Sequence, residues 1–298
     1  MCFDLRVQPD VKNRTFKVIV IAAFAALAST TLGIGGGVLM VPLLTLVVKM
    51  PIKQAAGTSL AMVVGVIAVG LVAQEIKAPG DIHWDVALLL AVFAIGGTFV
   101  GNWLNRIVPE AVLRYAFCLV LIVAAVRLIG IMPDSEALLR NNPRLTHPGE
   151  FAFLAVVGVV AGVTGSLFGV GGGIVVVPAL ALAYGYFNTH FAETRATSLA
   201  VIMPTSIVGA WLHWRAKNVE LPLVLRTLPV AVVFSAVGVL VAYAVNAEVL
   251  KVAFALLLLA AALRLALQKS AGRKVPPTKA PEAAVTSTQV SSNDSEKS

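Results

Sequence analysis

The chain has 298 residues, of which 58% are hydrophobic and only 13% charged, with a mean hydropathy of +0.90. A soluble domain carries about twice that charge, so a soluble globular fold is excluded, and the uninterrupted apolar runs lack the alternation of a transmembrane β-barrel. The formal net charge of +8 does not point to nucleic acid: Lys and Arg gather at the ends of apolar runs and in the termini, as cytoplasmic loops of a membrane protein require. The composition predicts an all-α polytopic membrane protein.

In chain order, residues 1–14 read as a cytoplasmic N-terminal tail. Five apolar pieces follow, at about 15–32, 38–48, 54–74, 84–105 and 111–131. Residues 132–149 are polar and form a linker. Five further pieces follow at about 150–168, 174–186, 196–214, 221–245 and 248–268. Residues 269–298 read as a polar, disordered tail. The first piece resembles a signal peptide, but it has a counterpart in mid-chain, so it is read as a structural span. Most pieces are long enough to cross a hydrocarbon core of about 30 Å. The second piece of each half is not.

The two sets of five are copies of one unit, repeat 1 over 15–131 and repeat 2 over 150–268. "GIGGGVLMVP" at Gly33–Pro42 recurs as "GVGGGIVVVP" at Gly169–Pro178, and "TSLA" at Thr58–Ala61 recurs at Thr197–Ala200. "VLRYAFCLVLIVAAVRL" from Val112 falls on "VLKVAFALLLLAAALRL" from Val249. If every piece crosses, each half has an odd number of spans and the halves are inverted. If the short piece is re-entrant, each half has four spans and the halves are parallel. The distribution of Lys and Arg does not choose between these schemes, though both place the two termini in the cytoplasm.

A triple glycine inside a span is costly, about 1 kcal/mol per Gly relative to Ala, and loosened backbone in lipid needs partners. Transporters use such breaks as binding sites, because the half-helix after the break points free amides and a positive partial charge at one spot. Here the half-helices are expected to start at Val38 and Ile174. The other reading of such a run is close helix–helix packing, which small residues permit. Two copies at equivalent positions, each followed by a Pro, favour the binding reading, and the candidate substrate-binding residues are Gly35, Gly36, Gly37, Gly171, Gly172 and Gly173. Thr58, Ser59, Thr197 and Ser198, at the starts of apolar helices, either cap those helices or donate to an oxyanion. Arg195, opposite Ala56 in the repeat, is either a snorkelling surface residue or an anion-recruiting guanidinium. Gln74 and His213 correspond, and His213 is read as an interface hydrogen-bonder. Cys2 and Cys118 imply neither disulfide nor metal site, and no cofactor is implied. No carboxylate stands inside a span, so no proton or sodium carrier is evident.

The doubled G-x-G-G-G…V-P and T-S-L pattern, together with the whole-chain duplication, resembles the sulfite exporter TauE/SafE family of permeases. The resemblance implies a bacterial inner-membrane location and transport of small sulfur-containing anions such as sulfite, sulfoacetate or thiosulfate, without enzymatic activity. It adds weight to the glycines, Thr58, Ser59, Thr197 and Ser198, and less to Arg195. A permease for small carboxylates, an intramembrane hydrolase built on Ser166 with His190 or His213, and a scaffold without flux are the alternatives. The partners expected are a small anion and the lipid bilayer, not nucleic acid, with homo-oligomerisation left open.

Overall fold

A computed structural model describes residues 9–109, isolated positions between 111 and 126, and residues 148–184 and 190–267. The described residues form helices and connecting turns with no strand. In chain order the helices are α1 Pro9–Leu32, α2 Gly37–Val47, α3 Ile52–Lys77, α4 Trp84–Ile107, α5 Pro148–Phe168, α6 Gly173–Ala183, α7 Phe191–Arg215, α8 Leu221–Ala244 and α9 Ala247–Leu267. Of these, α3, α4, α5, α7 and α8 are long and apolar enough to cross a membrane, and the apolar part of α1 covers Lys17–Leu32. Helix is the expected outcome, because hydrocarbon offers no water to the backbone and a helix satisfies its own amides and carbonyls. Residues 1–8, most of the piece at 111–131, nearly all of the linker at 132–149 and the tail at 269–298 lie outside the described residues.

The half-helices start one residue earlier than the sequence suggests, at Gly37 and Gly173. α1 starts at Pro9, inside the stretch assigned to the N-terminal tail. α7 starts at Phe191, five residues ahead of the expected 196. Its first five residues include Glu193, Thr194 and Arg195, which break the apolar pattern but are accommodated by polar partners. Cys118 is buried with a free thiol, and its Sγ donates to the Ala262 carbonyl at 3.5 Å.

Contacts along the helices fix their directions. Gln74 meets Arg195, Leu60 packs on Gly209 and His213 packs on Gly57, so α3 and α7 run antiparallel. Leu228 packs on Gly65 and Ser235 Oγ donates to the Val66 carbonyl at 2.6 Å, so α3 and α8 run parallel. Against α5, Ala94 faces Gly158, Gly97 faces Val159, Gly101 faces Val163, and Asn105 Nδ2 donates to the Leu167 carbonyl at 3.2 Å. That order makes α4 and α5 parallel. The repeat counterpart of this pair is α8 with α1, where Gly238 meets Leu27 and Thr30 as Gly101 meets Val163 and Ser166. Small residues at each crossing let the backbones approach.

The equivalent helices α3 and α7 therefore point in opposite directions, and the two repeats are inverted. α1 and α3 point the same way, so the glycine run and α2 together return the chain between them. This decides the choice that charge counting leaves open. In a chain carrying Cys2→Ser and Cys118→Ser, cysteines introduced as Pro79→Cys and Lys217→Cys should react with a membrane-impermeant maleimide from opposite faces. Labelling from one face would contradict the inversion.

Candidate functional site

The breaks are built from backbone that side chains resist. Gly33, Gly35, Gly169, Gly171 and Gly172 have φ of 71°, 75°, 73°, 77° and 95°, a left-handed region that glycine occupies without steric cost. α1 ends as Ser29 O accepts the amides of Gly33 at 2.8 Å and Ile34 at 3.3 Å. α5 ends in the same manner, with Gly165 O accepting from Val170 at 3.0 Å and Gly171 at 3.4 Å. Each half-helix then begins behind a glycine N-cap, Gly36 or Gly172, with no side-chain cap. In the first turns, Val38 N donates to Gly35 O at 3.4 Å and Met40 N to Gly36 O at 2.9 Å, and Val175 N and Val176 N donate to Gly172 O at 3.0 and 3.3 Å. The remaining first-turn amides have no intrahelical acceptor and no side-chain cap. Pro42 and Pro178 sit five residues further on, where each removes one helical hydrogen bond.

The two runs touch. A Cβ on Gly37 would strike the Gly169 carbonyl, one on Gly35 would lie 2.5 Å from the Val170 carbonyl, and one on Gly173 would lie 2.7 Å from the Ile34 carbonyl. The structure thus brings Gly35, Gly37 and Gly173 against the backbone of the opposite run, whereas Gly171 faces the Ile202 side chain, and Gly36 and Gly172 face Ala25 of α1 and Ala161 of α5 in their own repeats. Side-chain hydroxyls take carbonyls freed by the second run. Ser59 Oγ donates to Gly169 O at 2.9 Å and Thr205 Oγ1 to Gly171 O at 2.7 Å.

Thr58, Ser59, Thr197 and Ser198 lie two turns inside α3 and α7 and are fully buried. They do not cap their own helices. Thr58 Oγ1 accepts the amide of Glu220, the N-cap residue of α8, and Thr197 Oγ1 accepts the amide of His83, the N-cap residue of α4, both at 3.1 Å. Each threonine therefore holds a helix start in the opposite repeat. Ser198 Oγ, the counterpart of Ser59 Oγ, has no hydrogen-bond partner.

Arg195 is not a snorkelling surface residue: it is 2% exposed. Its Nη1 donates to Thr30 O at 3.0 Å and its Nη2 to Gln74 Oε1 at 2.7 Å, and its guanidinium lies 4.9 Å above the Tyr243 ring. Gln74 Nε2 also meets Tyr243 OH, which donates to Asp81 Oδ2 at 2.6 Å. Gly33 packs against the Arg195 backbone, where a Cβ would come within 2.8 Å of its Cα. A cation is thereby anchored behind the first break. Sequence reading missed Tyr243 and Asp81: a tyrosine at a span end reads as an interfacial anchor, and Asp81 is a loop acid. At the opposite end His213 Nε2 meets the Ser166 carbonyl at 3.0 Å, the interface role expected of it. Beside Thr197, His83 Nε2 pairs with Glu193 Oε2 at 2.7 Å.

Long apolar helices in inverted repeats, with paired half-helices between them, define a polytopic membrane transporter. Residues 4–128 and 154–291 match the family described as sulfite exporter TauE/SafE, and the chain belongs to that family. It is 26% identical to a probable membrane transporter protein of Methanocaldococcus jannaschii over 68% of this chain and 73% of the relative. It is 28% identical to a probable membrane transporter protein of Bacillus subtilis over 60% and 70%. Against sulfite exporter TauE/SafE family protein 5 of Arabidopsis thaliana, identity is 32% over 34% of this chain and 23% of that one. No solved structure matches the chain.

Replacing either capping threonine by valine removes an acceptor from a buried amide, a loss of about 1 kcal/mol. Thr58→Val and Thr197→Val should each lower the melting temperature of the detergent-purified protein by a few degrees, and the double variant by roughly the sum. An unchanged melting temperature would show that the two reciprocal bonds contribute nothing.

Proposed function

We propose that the chain is a permease for small sulfur-containing anions, sulfite or organosulfonates such as sulfoacetate, or thiosulfate, moved by alternating access at a site between the two repeats. The observation that carries this reading is the pair of half-helices, α2 and α6, opening behind glycine N-caps where the two runs meet. Uncapped amides at a helix start favour anions, and in a buried setting they replace part of the anion's hydration. Gly35, Gly36, Gly37, Gly171, Gly172 and Gly173 line the proposed site, with the Ser59 and Ser198 hydroxyls beside them and Arg195 supplying positive charge from behind Gly33. Thr58 and Thr197 serve this site indirectly, by holding α8 and α4 in place. Opening and closing then follow from rocking one repeat against the other. The membrane concerned is the bacterial inner membrane, with both termini cytoplasmic.

Sulfur-containing anions are preferred over small carboxylates on the strength of the family description and the names of the plant relatives. The hydrolase alternative lacks comparable support. His213 meets the Ser166 carbonyl, and Ser166 Oγ has no hydrogen-bond partner, whereas a serine nucleophile needs a base within reach.

Purified protein in liposomes should take up radiolabelled anions from a panel of sulfite, sulfonates, thiosulfate and carboxylates, with the sulfur oxyanions preferred. Gly36→Leu and Gly172→Leu should abolish that uptake while the protein stays inserted and monodisperse. A Leu at Gly36 reaches the Ser29 side chain, and one at Gly172 is also forced into φ 95°. Normal flux in both variants would remove the glycine runs from the transport path.

A further inference from the structure

The two half-helix starts are not equivalent: one faces a serine hydroxyl and the other is pressed against backbone. Ser29, Thr30 and Thr31 end α1 immediately before the first break. The Thr30 hydroxyl lies 3.1 Å from the Ala26 carbonyl and 2.8 Å from that of Ser235, and the Thr31 hydroxyl 2.7 Å from the Leu27 carbonyl and 2.9 Å from that of Gly238, so each shares its one proton between two acceptors. Ser29 Oγ has no partner, although the residue is only 4% exposed. A buried hydroxyl without a partner is costly, and a serine this deep in a helix ordinarily bonds back to the carbonyl four residues earlier. Its side chain instead faces the N-cap of α2: a Cβ on Gly36 would sit 3.4 Å from Ser29 Cβ and 3.6 Å from Ser29 Oγ.

In repeat 2 the counterpart of Ser29 is Gly165, and there the corresponding space is filled. A Cβ on Gly165 would lie 2.5 Å from the Gly172 amide nitrogen and 2.8 Å from Gly171 C. The N-cap of α6 is thus pressed against the α5 backbone, with no room for a hydroxyl. The two N-caps differ accordingly, Gly36 at φ −49° and Gly172 at φ 95°.

We infer that Ser29 is a substrate-binding residue: its hydroxyl and the first-turn amides of α2 together hold one oxygen-bearing anionic group, and the pseudo-symmetric position at α6 holds none. The ligand is a small oxyanion with at least two acceptor oxygens, such as a sulfite or sulfonate group, and the stoichiometry is one per chain. This rests on the anion-permease reading above.

The test uses the full chain, purified in detergent, with sulfite and methanesulfonate as probes in titration calorimetry and thermal melting. The wild type should bind one anion per chain and melt at a higher temperature when the anion is present. Because Ser29 Oγ is buried and makes no bond within the protein, Ser29→Ala should leave the anion-free melting temperature unchanged or raise it, while weakening binding by about tenfold or more. Ser29→Thr, which keeps the hydroxyl, should bind more tightly than Ser29→Ala, and Ser166→Ala should bind like the wild type. Wild-type affinity in Ser29→Ala, two anions per chain, or a lowered anion-free melting temperature in Ser29→Ala would overturn the role of Ser29 alone. Failure of the wild type to bind either probe would overturn the anion-site reading with it.

Discussion

Hydrocarbon supplies no hydrogen bonds, and the rest of this structure follows from how the chain meets that constraint where its helices break. Two glycine runs leave the helical ladder inside the protein. They are accommodated because they lie against each other, glycine to backbone, while Ser59 and Thr205 donate to the carbonyls of Gly169 and Gly171. Only glycine permits both the positive φ angles and the approach of Gly37 to the Gly169 carbonyl and of Gly173 to the Ile34 carbonyl. The inversion of the repeats makes this meeting possible. Antiparallel α3 and α7 bring equivalent segments face to face, and the reciprocal bonds from Thr58 to Glu220 and from Thr197 to His83 tie each repeat to a helix start in the other.

The two-fold relation is approximate, and its departures collect around the first break. Arg195 stands where repeat 1 has Ala56, and Ser29 stands where repeat 2 has Gly165. One end of the assembly therefore carries a buried cation held by Thr30, Gln74 and Tyr243. The other carries His213 bonded to a main-chain carbonyl. On the alternating-access reading proposed above, a site presented in turn to two compartments has reason to differ at its two ends, and two diverged repeats supply that difference without disturbing the shared scaffold.

Much of this was legible in the residues. The lengths of the apolar runs locate the helices, since a span must match the bilayer, and the doubled glycine motif locates both half-helices to within one residue. The relative direction of the repeats was not legible. Charges at the loop ends balance, and only side-chain meetings such as Gln74 with Arg195 or Asn105 with Leu167 reveal it. The threonine hydroxyls lie two turns inside their helices rather than at the starts, and the amides they accept could not be read from the chain because those partners lie 162 and 114 residues away. Ser29 carries no sequence signal at all: a serine at a helix end is ordinary, and its meaning comes from the absence of any partner for its oxygen and from Gly165 across the pseudo-axis.

The central claim is that the break at the start of α2 receives the transported anion. Anomalous diffraction from crystals soaked in selenite, a heavier analogue of sulfite, tests it most directly. The account predicts one selenium peak per chain, within hydrogen-bonding distance of Ser29 Oγ and the first turn of α2. A peak elsewhere, or none in protein that transports sulfite and is inhibited by selenite, would contradict it.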